Sequence, residues 1–139
     1  METALGGTLE KACSMLAKSL MTVALLAATT IAAQAQGAGD PVKGKAVYKR
    51  CVVCHTDTKG GSDTLGPNLF GIVGKKAASK PGYAYSAPLQ AANITWTEAN
   101  LIKWSAAPQK MVPGNKMFFA GITSKNQQAD LAAYLATLK

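Results

Sequence analysis

Cys51-Val52-Val53-Cys54-His55 sets two thiols three residues apart, with an imidazole directly behind the second. One helical turn brings both thiols to the same edge of a porphyrin, where they can add to its two vinyl groups while the histidine faces the iron. Zinc sites and thioredoxin-like redox pairs also use C-x-x-C. Zinc takes four ligands, yet the only other cysteine is Cys13 and there is no second histidine. A thioredoxin-like pair belongs in a βαβ setting for which the chain has no pattern. The motif points to a single haem c, covalent through Cys51 and Cys54, with His55 on the iron.

Upstream, residues 39–50 read as a helix, with Asp40 as N-cap and Pro41 at the first helical position. Val42, Ala46 and Val47 supply its apolar stripe, and Tyr48 shares a face with Gly44. A mid-helix glycine costs about 1 kcal/mol relative to alanine. Gly44 therefore marks either a close helix crossing or a tolerated surface site. Earlier still, Lys11 and Lys18 precede an uncharged apolar run from Leu20 to Ala33, closed by the small-x-small pattern Ala33-Gln34-Ala35. Residues 1–35 are expected to form a cleaved secretory signal, with Met15 an alternative start, and residues 36–139 the domain. An uncleaved anchor competes, but about 14 apolar residues fall short of the ~20 that span a bilayer. A lipid anchor on Cys13 fails on order, because that cysteine precedes the apolar run.

Downstream, Gly60-Gly61 signals a loop, followed by Leu65-Gly66-Pro67-Asn68-Leu69. The Pro67 carbonyl is a candidate acceptor for the Nδ1–H of His55, the outer contact that a ligating imidazole takes; an ordinary Gly-Pro turn is the alternative. Residues 75–92 read as loop, broken by Pro81-Gly82 and Pro88, and carry Tyr83 and Tyr85 as candidate donors to a haem propionate. Thr95-Trp96-Thr97-Glu98 reads as a capping box opening a helix that ends before Pro108. Trp96 is core filler or a propionate donor through its indole N–H. A thioether is a soft neutral ligand for iron, and Met117 follows Pro113-Gly114, which can shape a loop across the haem face; Met111 is the rival. A last helix starts near Thr123 or Ser124, with Leu131, Tyr134, Leu135 and Leu138 at i, i+3, i+4 and i+7.

Beyond residue 35 the chain carries thirteen basic residues against five acidic ones, a net charge of +8. The basic residues are dispersed and no nucleic-acid motif accompanies them, so the charge suits an acidic protein surface and steered association better than nucleic acid. A domain this small often needs a staple. With both cysteines in the motif there is no disulfide framework, and the haem supplies that staple.

Taken in order, these pieces resemble the class I c-type cytochromes of bacterial, mitochondrial-like type. The ones that carry the likeness are Gly44 with Tyr48, the Cys51-to-His55 motif, Gly66-Pro67-Asn68-Leu69, Pro81-Gly82-Tyr83, Thr95-Trp96, Pro113-Gly114-Asn115-Lys116-Met117 and the Leu131/Tyr134/Leu135 helix. The resemblance implies an all-α cytochrome c fold, three main helices plus short helices and loops wrapped around one covalent haem. It implies that Met117 and not Met111 is the second axial ligand and that Pro67 bonds His55. It places Tyr83, Tyr85, Ser86 and Trp96 near the propionates, and Gly44 at a crossing of the first and last helices under Tyr134. Docking of acidic redox partners is implied at Arg50, Lys110, Lys116 and Lys125. Four positions depart from the common pattern. Trp104 stands where many members carry a tyrosine bonded to the methionine sulfur, Asn115 where a threonine is frequent, Leu89 where a polar residue holds water, and Lys75 where an arginine braces a propionate.

The expected function is a monomeric periplasmic one-electron carrier between a cytochrome bc complex or dehydrogenase and a terminal oxidase or reductase, and not an enzyme. A haem enzyme or gas sensor with a labile methionine is the competing reading, and a structural haem domain of a larger complex is a third.

Overall fold

A computed structural model describes residues 39–139; the signal expected at residues 1–35 lies outside them. The described residues fold into five helices without a strand: α1 Pro41–Tyr48, α2 Ala87–Ala91, α3 Glu98–Ala106, α4 Pro108–Met111 and α5 Lys125–Thr137. The all-α expectation is met. None of these helices is long and apolar enough to cross a membrane.

Helix α1 opens as its sequence dictates, with the Asp40 carboxylate accepting from the backbone N–H of Val42 at 2.9 Å and of Lys43 at 3.2 Å. Its buried face differs from the expected stripe. Val42 is 80% exposed, and the buried positions are Gly44, Val47 and Tyr48. The crossing with α5 sets that face. A Cβ on Gly44 would overlap the Asp130 carbonyl and lie 2.7 Å from the Tyr134 Cβ, so only glycine lets the two backbones meet. Tyr48 and Tyr134 then pack ring against ring, centroids 5.4 Å apart. The tie between a helix crossing and a surface glycine resolves as a crossing.

Helix α3 starts two residues later than the capping box implied. Trp96 N–H donates to the Lys75 carbonyl at 2.8 Å, and Thr95 pairs with Lys76 in an isolated antiparallel bridge. Thr95 is thereby held extended, and Thr97 caps the helix instead, accepting from the Asn100 N–H at 3.2 Å. Two short helices went unseen in the sequence. In α2, Ser86 is the N-cap and Pro88 sits in the first turn, where its missing N–H is no loss. In α4, Pro108 likewise starts a single turn. Helix α5 is capped by Ser124 and buries Gln128, Leu131, Ala132, Tyr134 and Leu135 against α1 and α3.

Tyr134 also reaches out of the helix pair, its hydroxyl donating to Asp57 Oδ2 at 2.6 Å. Burial and the Asp57 carboxylate push the Tyr134 phenol up to about 12. A phenol raised on folding stabilises the fold fully below its ordinary range near 10, and that contribution is lost as pH rises toward about 12.

Gly44→Ala is expected to lower stability by about 1–3 kcal/mol through overpacking, against the gain that helix propensity alone would give; urea denaturation of the haem-loaded protein measures it. Tyr134→Phe is expected to remove about 1–2 kcal/mol at neutral pH and to flatten the loss of stability above pH 10, read from denaturation midpoints across that range.

Candidate cofactor-binding site

The loops between the helices enclose a cavity of about 1240 Å³. All eight site residues expected from the sequence line it: Cys51, Cys54, His55 and Pro67 from the segment after α1, Met117 from the segment after α4, and Tyr83, Tyr85 and Trp96 from the chain between them.

The cysteine motif forms a tight turn directly after α1, with His55 N–H donating to the Cys51 carbonyl at 2.9 Å and Cys54 N–H to the same oxygen at 3.0 Å. Both cysteines are free and half-buried on the cavity wall. Burial pushes the Cys51 thiol up to about 11, against the pull of Arg50. That is the opposite direction from an activated redox thiolate.

His55 Nδ1 lies 2.7 Å from the Pro67 carbonyl oxygen. A carbonyl only accepts, so Nδ1 carries the proton and Nε2 keeps its lone pair. Burial lowers the imidazole's basicity, partly offset by the bond to Pro67. The ring is therefore held neutral and in one tautomer, the form a metal requires. Gly66 makes this possible. A Cβ there would overlap the ring's Cε1 and lie 2.6 Å from Nδ1. The strand of loop that carries Gly66 is pinned in turn, because its N–H and the Thr64 hydroxyl both donate to the Cys54 carbonyl, at 2.7 and 2.5 Å.

Met117 ends the loop after α4, in which Gly114 adopts the left-handed φ of +80°. Trp104 Nε1–H donates to the Met117 sulfur at 3.2 Å, so an indole does here what the expected tyrosine would have done. Met111 sits on α4 and is not among the cavity-lining residues. Two amides hold this loop, and the sequence reading passed over one of them. Buried Asn115 donates to the Val112 carbonyl and accepts from Met117 N–H, both at 2.8 Å. Gln109 donates to the carbonyls of Asn115 at 2.9 Å and Met117 at 3.3 Å, and accepts from Gly114 N–H at 3.3 Å. No periodicity marks Gln109, since its partners are all backbone.

The remaining wall separates the three aromatic candidates. Tyr83 spends its single proton on the Leu65 carbonyl at 2.7 Å, so it braces the loop and cannot at the same time donate to a propionate. Its ring packs against Tyr85, centroids 4.7 Å apart. Trp96 is buried with its ring edge-on to Trp104 at 5.2 Å. Ser86, also expected near the propionates, lines the cavity but its hydroxyl caps α2. At the mouth, Arg50 and Lys116 line the opening, and Lys116 Nζ donates to the Ala84 carbonyl at 3.2 Å, bridging two loops. Lys110 and Lys125 are exposed but lie off the cavity wall. Lys80 is withdrawn from the free charges by a short ion pair with Asp63.

The residues fit a haem by chemistry and by shape: two thiols on one turn, a neutral imidazole, a thioether, and walls built largely of apolar and aromatic side chains. Comparison with known proteins agrees. The family model for cytochrome c matches residues 41–139. The chain is 42% identical over 119 residues to cytochrome c-554 of Methylosinus trichosporium, covering 85% of this chain and 90% of that protein. It is 40% identical to cytochrome c2 of Rhodomicrobium vannielii, covering 86% and 96% respectively. Cytochrome cH from Methylobacterium extorquens superposes with a TM-score of 0.67 at 41% identity, over 71% of this chain and 99% of that one. With the Cys51/Cys54 pair in place to bind haem c covalently, the chain belongs to the cytochrome c family and is a monohaem electron-transfer protein.

Proposed function

We propose that His55 and Met117 are the two axial ligands of this haem, and that the protein is an exported carrier shuttling single electrons in the periplasm. One observation carries the reading. The imidazole and the thioether line one cavity, and each is held by a hydrogen bond to its far side, His55 by Pro67 and Met117 by Trp104. Such outer bonds fix a ligand's orientation before the metal is bound. When bound, the haem iron supplies a one-electron couple.

The chain's own residues do the rest. His55 offers Nε2 as a neutral donor, and the Met117 sulfur offers one lone pair while the other accepts from Trp104. Neither ligand would add charge, and the largely apolar wall would disfavour the more highly charged oxidised state of a bound haem and so raise its potential. In this reading Trp96 and Tyr85, both on the cavity wall, donate to the propionates, and Tyr83 braces the loop through the Leu65 carbonyl. Arg50 and Lys116 at the mouth, with Lys110 and Lys125 further out, favour an acidic partner surface. Partners of that kind are a cytochrome bc complex or dehydrogenase on one side and a terminal oxidase or reductase on the other. Residues 1–35 are the export signal in this reading, and residues 36–139 the carrier, acting as a monomer.

A sixth position closed by Met117 predicts that the reduced protein binds carbon monoxide poorly at neutral pH and that Met117→Ala binds it rapidly. Ready binding by the unaltered protein would favour a gas-binding or enzymatic site instead. Trp104→Phe removes the N–H that draws electron density from the sulfur. The loss makes the thioether a better donor to oxidised iron, and the potential should fall by an amount on the order of tens of millivolts, measured by redox titration.

A further inference from the structure

We infer that Gln109 is a positioning residue for Met117, its carboxamide clasping the ligand-bearing loop and setting how readily the sulfur yields its place to another ligand. This rests on Met117 being an axial ligand. The loop has two firm feet, Pro108 and Ile122, each less than 2% exposed. Ile122 N–H is also fixed, donating to the Ser105 carbonyl at 2.8 Å. Between α4 and the second foot the buried side chains are Val112 and Asn115, while Pro113, Gly114, Lys116, Phe118 and Ala120 are all exposed.

Beside those two side chains, polar contacts hold the span. Asn115 stiffens the loop, yet both of its bonds, to Val112 and Met117, close within it. Contacts that tie the span after α4 to the rest of the chain come from Trp104 on the sulfur, from Lys116 reaching Ala84, and from Gln109 on α4. Gln109 alone makes three, to Gly114, Asn115 and Met117, and so grips the ligand residue and the turn that precedes it. It stands directly after buried Pro108, on a turn that cannot swing with the loop.

The chemistry also specifies an amide. Gly114 needs an acceptor, while the two carbonyls need donors, and only a carboxamide offers both at this length. Glutamate would keep the acceptor but turn a negative oxygen toward two carbonyl oxygens. Methionine keeps the length and offers neither. For an incoming ligand to displace the sulfur, the loop must open and the clasp must break. A loop already held in its bound shape has less entropy left to lose when the ligand bond forms.

The test is imidazole binding by the oxidised, haem-loaded protein, followed by loss of the sulfur-to-iron charge-transfer band. Gln109→Met should bind imidazole about tenfold more tightly than the unaltered protein, the scale of one or two partly solvated hydrogen bonds, and Gln109→Glu at least as tightly. A variant that loses urea stability but binds imidazole within about twofold of the unaltered protein shows ordinary structural support and overturns the inference. Absence of the band from the unaltered protein removes the Met117 reading itself, and the inference with it. If neither variant takes up haem, proton exchange of the Gln109 side-chain amide in the unaltered reduced protein decides. Slowed exchange supports the clasp, and exchange at the rate of a free glutamine overturns it.

Discussion

The hydrogen bond between His55 Nδ1 and the Pro67 carbonyl is the contact on which the rest of the molecule depends. It fixes one tautomer of the only histidine and leaves a single lone pair for a metal. The bond requires the Gly66 backbone to lie against the imidazole, and that requires glycine. It requires the cysteine turn to hold the Gly66 loop through the Cys54 carbonyl. The turn in turn needs α1, which is fixed by its glycine-mediated crossing with α5, and Tyr134 on α5 reaches back to Asp57 two residues beyond the histidine. The helical frame is thus a device for holding one ring still.

The sulfur of Met117 is held differently. The histidine sits in half-buried, locally bonded backbone with buried Gly66 against its ring, whereas Met117 rides on a largely exposed loop between two buried feet. Its position comes from side-chain contacts: Trp104, on the cavity wall, bonds the sulfur itself, and the amides of Asn115, also on the wall, and of Gln109, off it, bond the backbone. Under the proposed ligation, a seated imidazole and a clasped thioether would differ in how easily they let go, although neither need change when an electron moves. Small reorganisation is the physical requirement of a carrier, and pre-positioned ligands meet it.

What could be read beforehand followed from how local the determinants were. The Cys51-to-His55 motif, the Asp40 cap and the apolar spacing of α5 are local signals, and each stood in the structure where the residues placed it. Gly44 needed knowledge of what lies across it, which came from family resemblance and is now explained by Asp130 and Tyr134. The cap of α3 moved from Thr95 to Thr97 because a bridge to Lys76, distant in sequence, holds Thr95 extended. The short helices α2 and α4 hid behind Pro88 and Pro108, prolines that break a helix interior but serve a first turn. Trp104 in place of the family's frequent tyrosine left the sulfur contact open, and its indole N–H makes the bond. Gln109 and the Lys80–Asp63 pair left no trace in any pattern, since their partners are set by tertiary placement alone.

The central claim is that one neutral imidazole and one thioether, His55 and Met117, close the iron from both sides. Proton NMR of the reduced protein, with the methionine methyl groups labelled, tests it most directly. The ring current of the haem should drive one methionine methyl far upfield, and that signal should persist in Met111→Leu and vanish in Met117→Leu. A reduced protein with no methionine methyl shifted in this way, or one whose shifted signal belongs to Met111, would contradict the account.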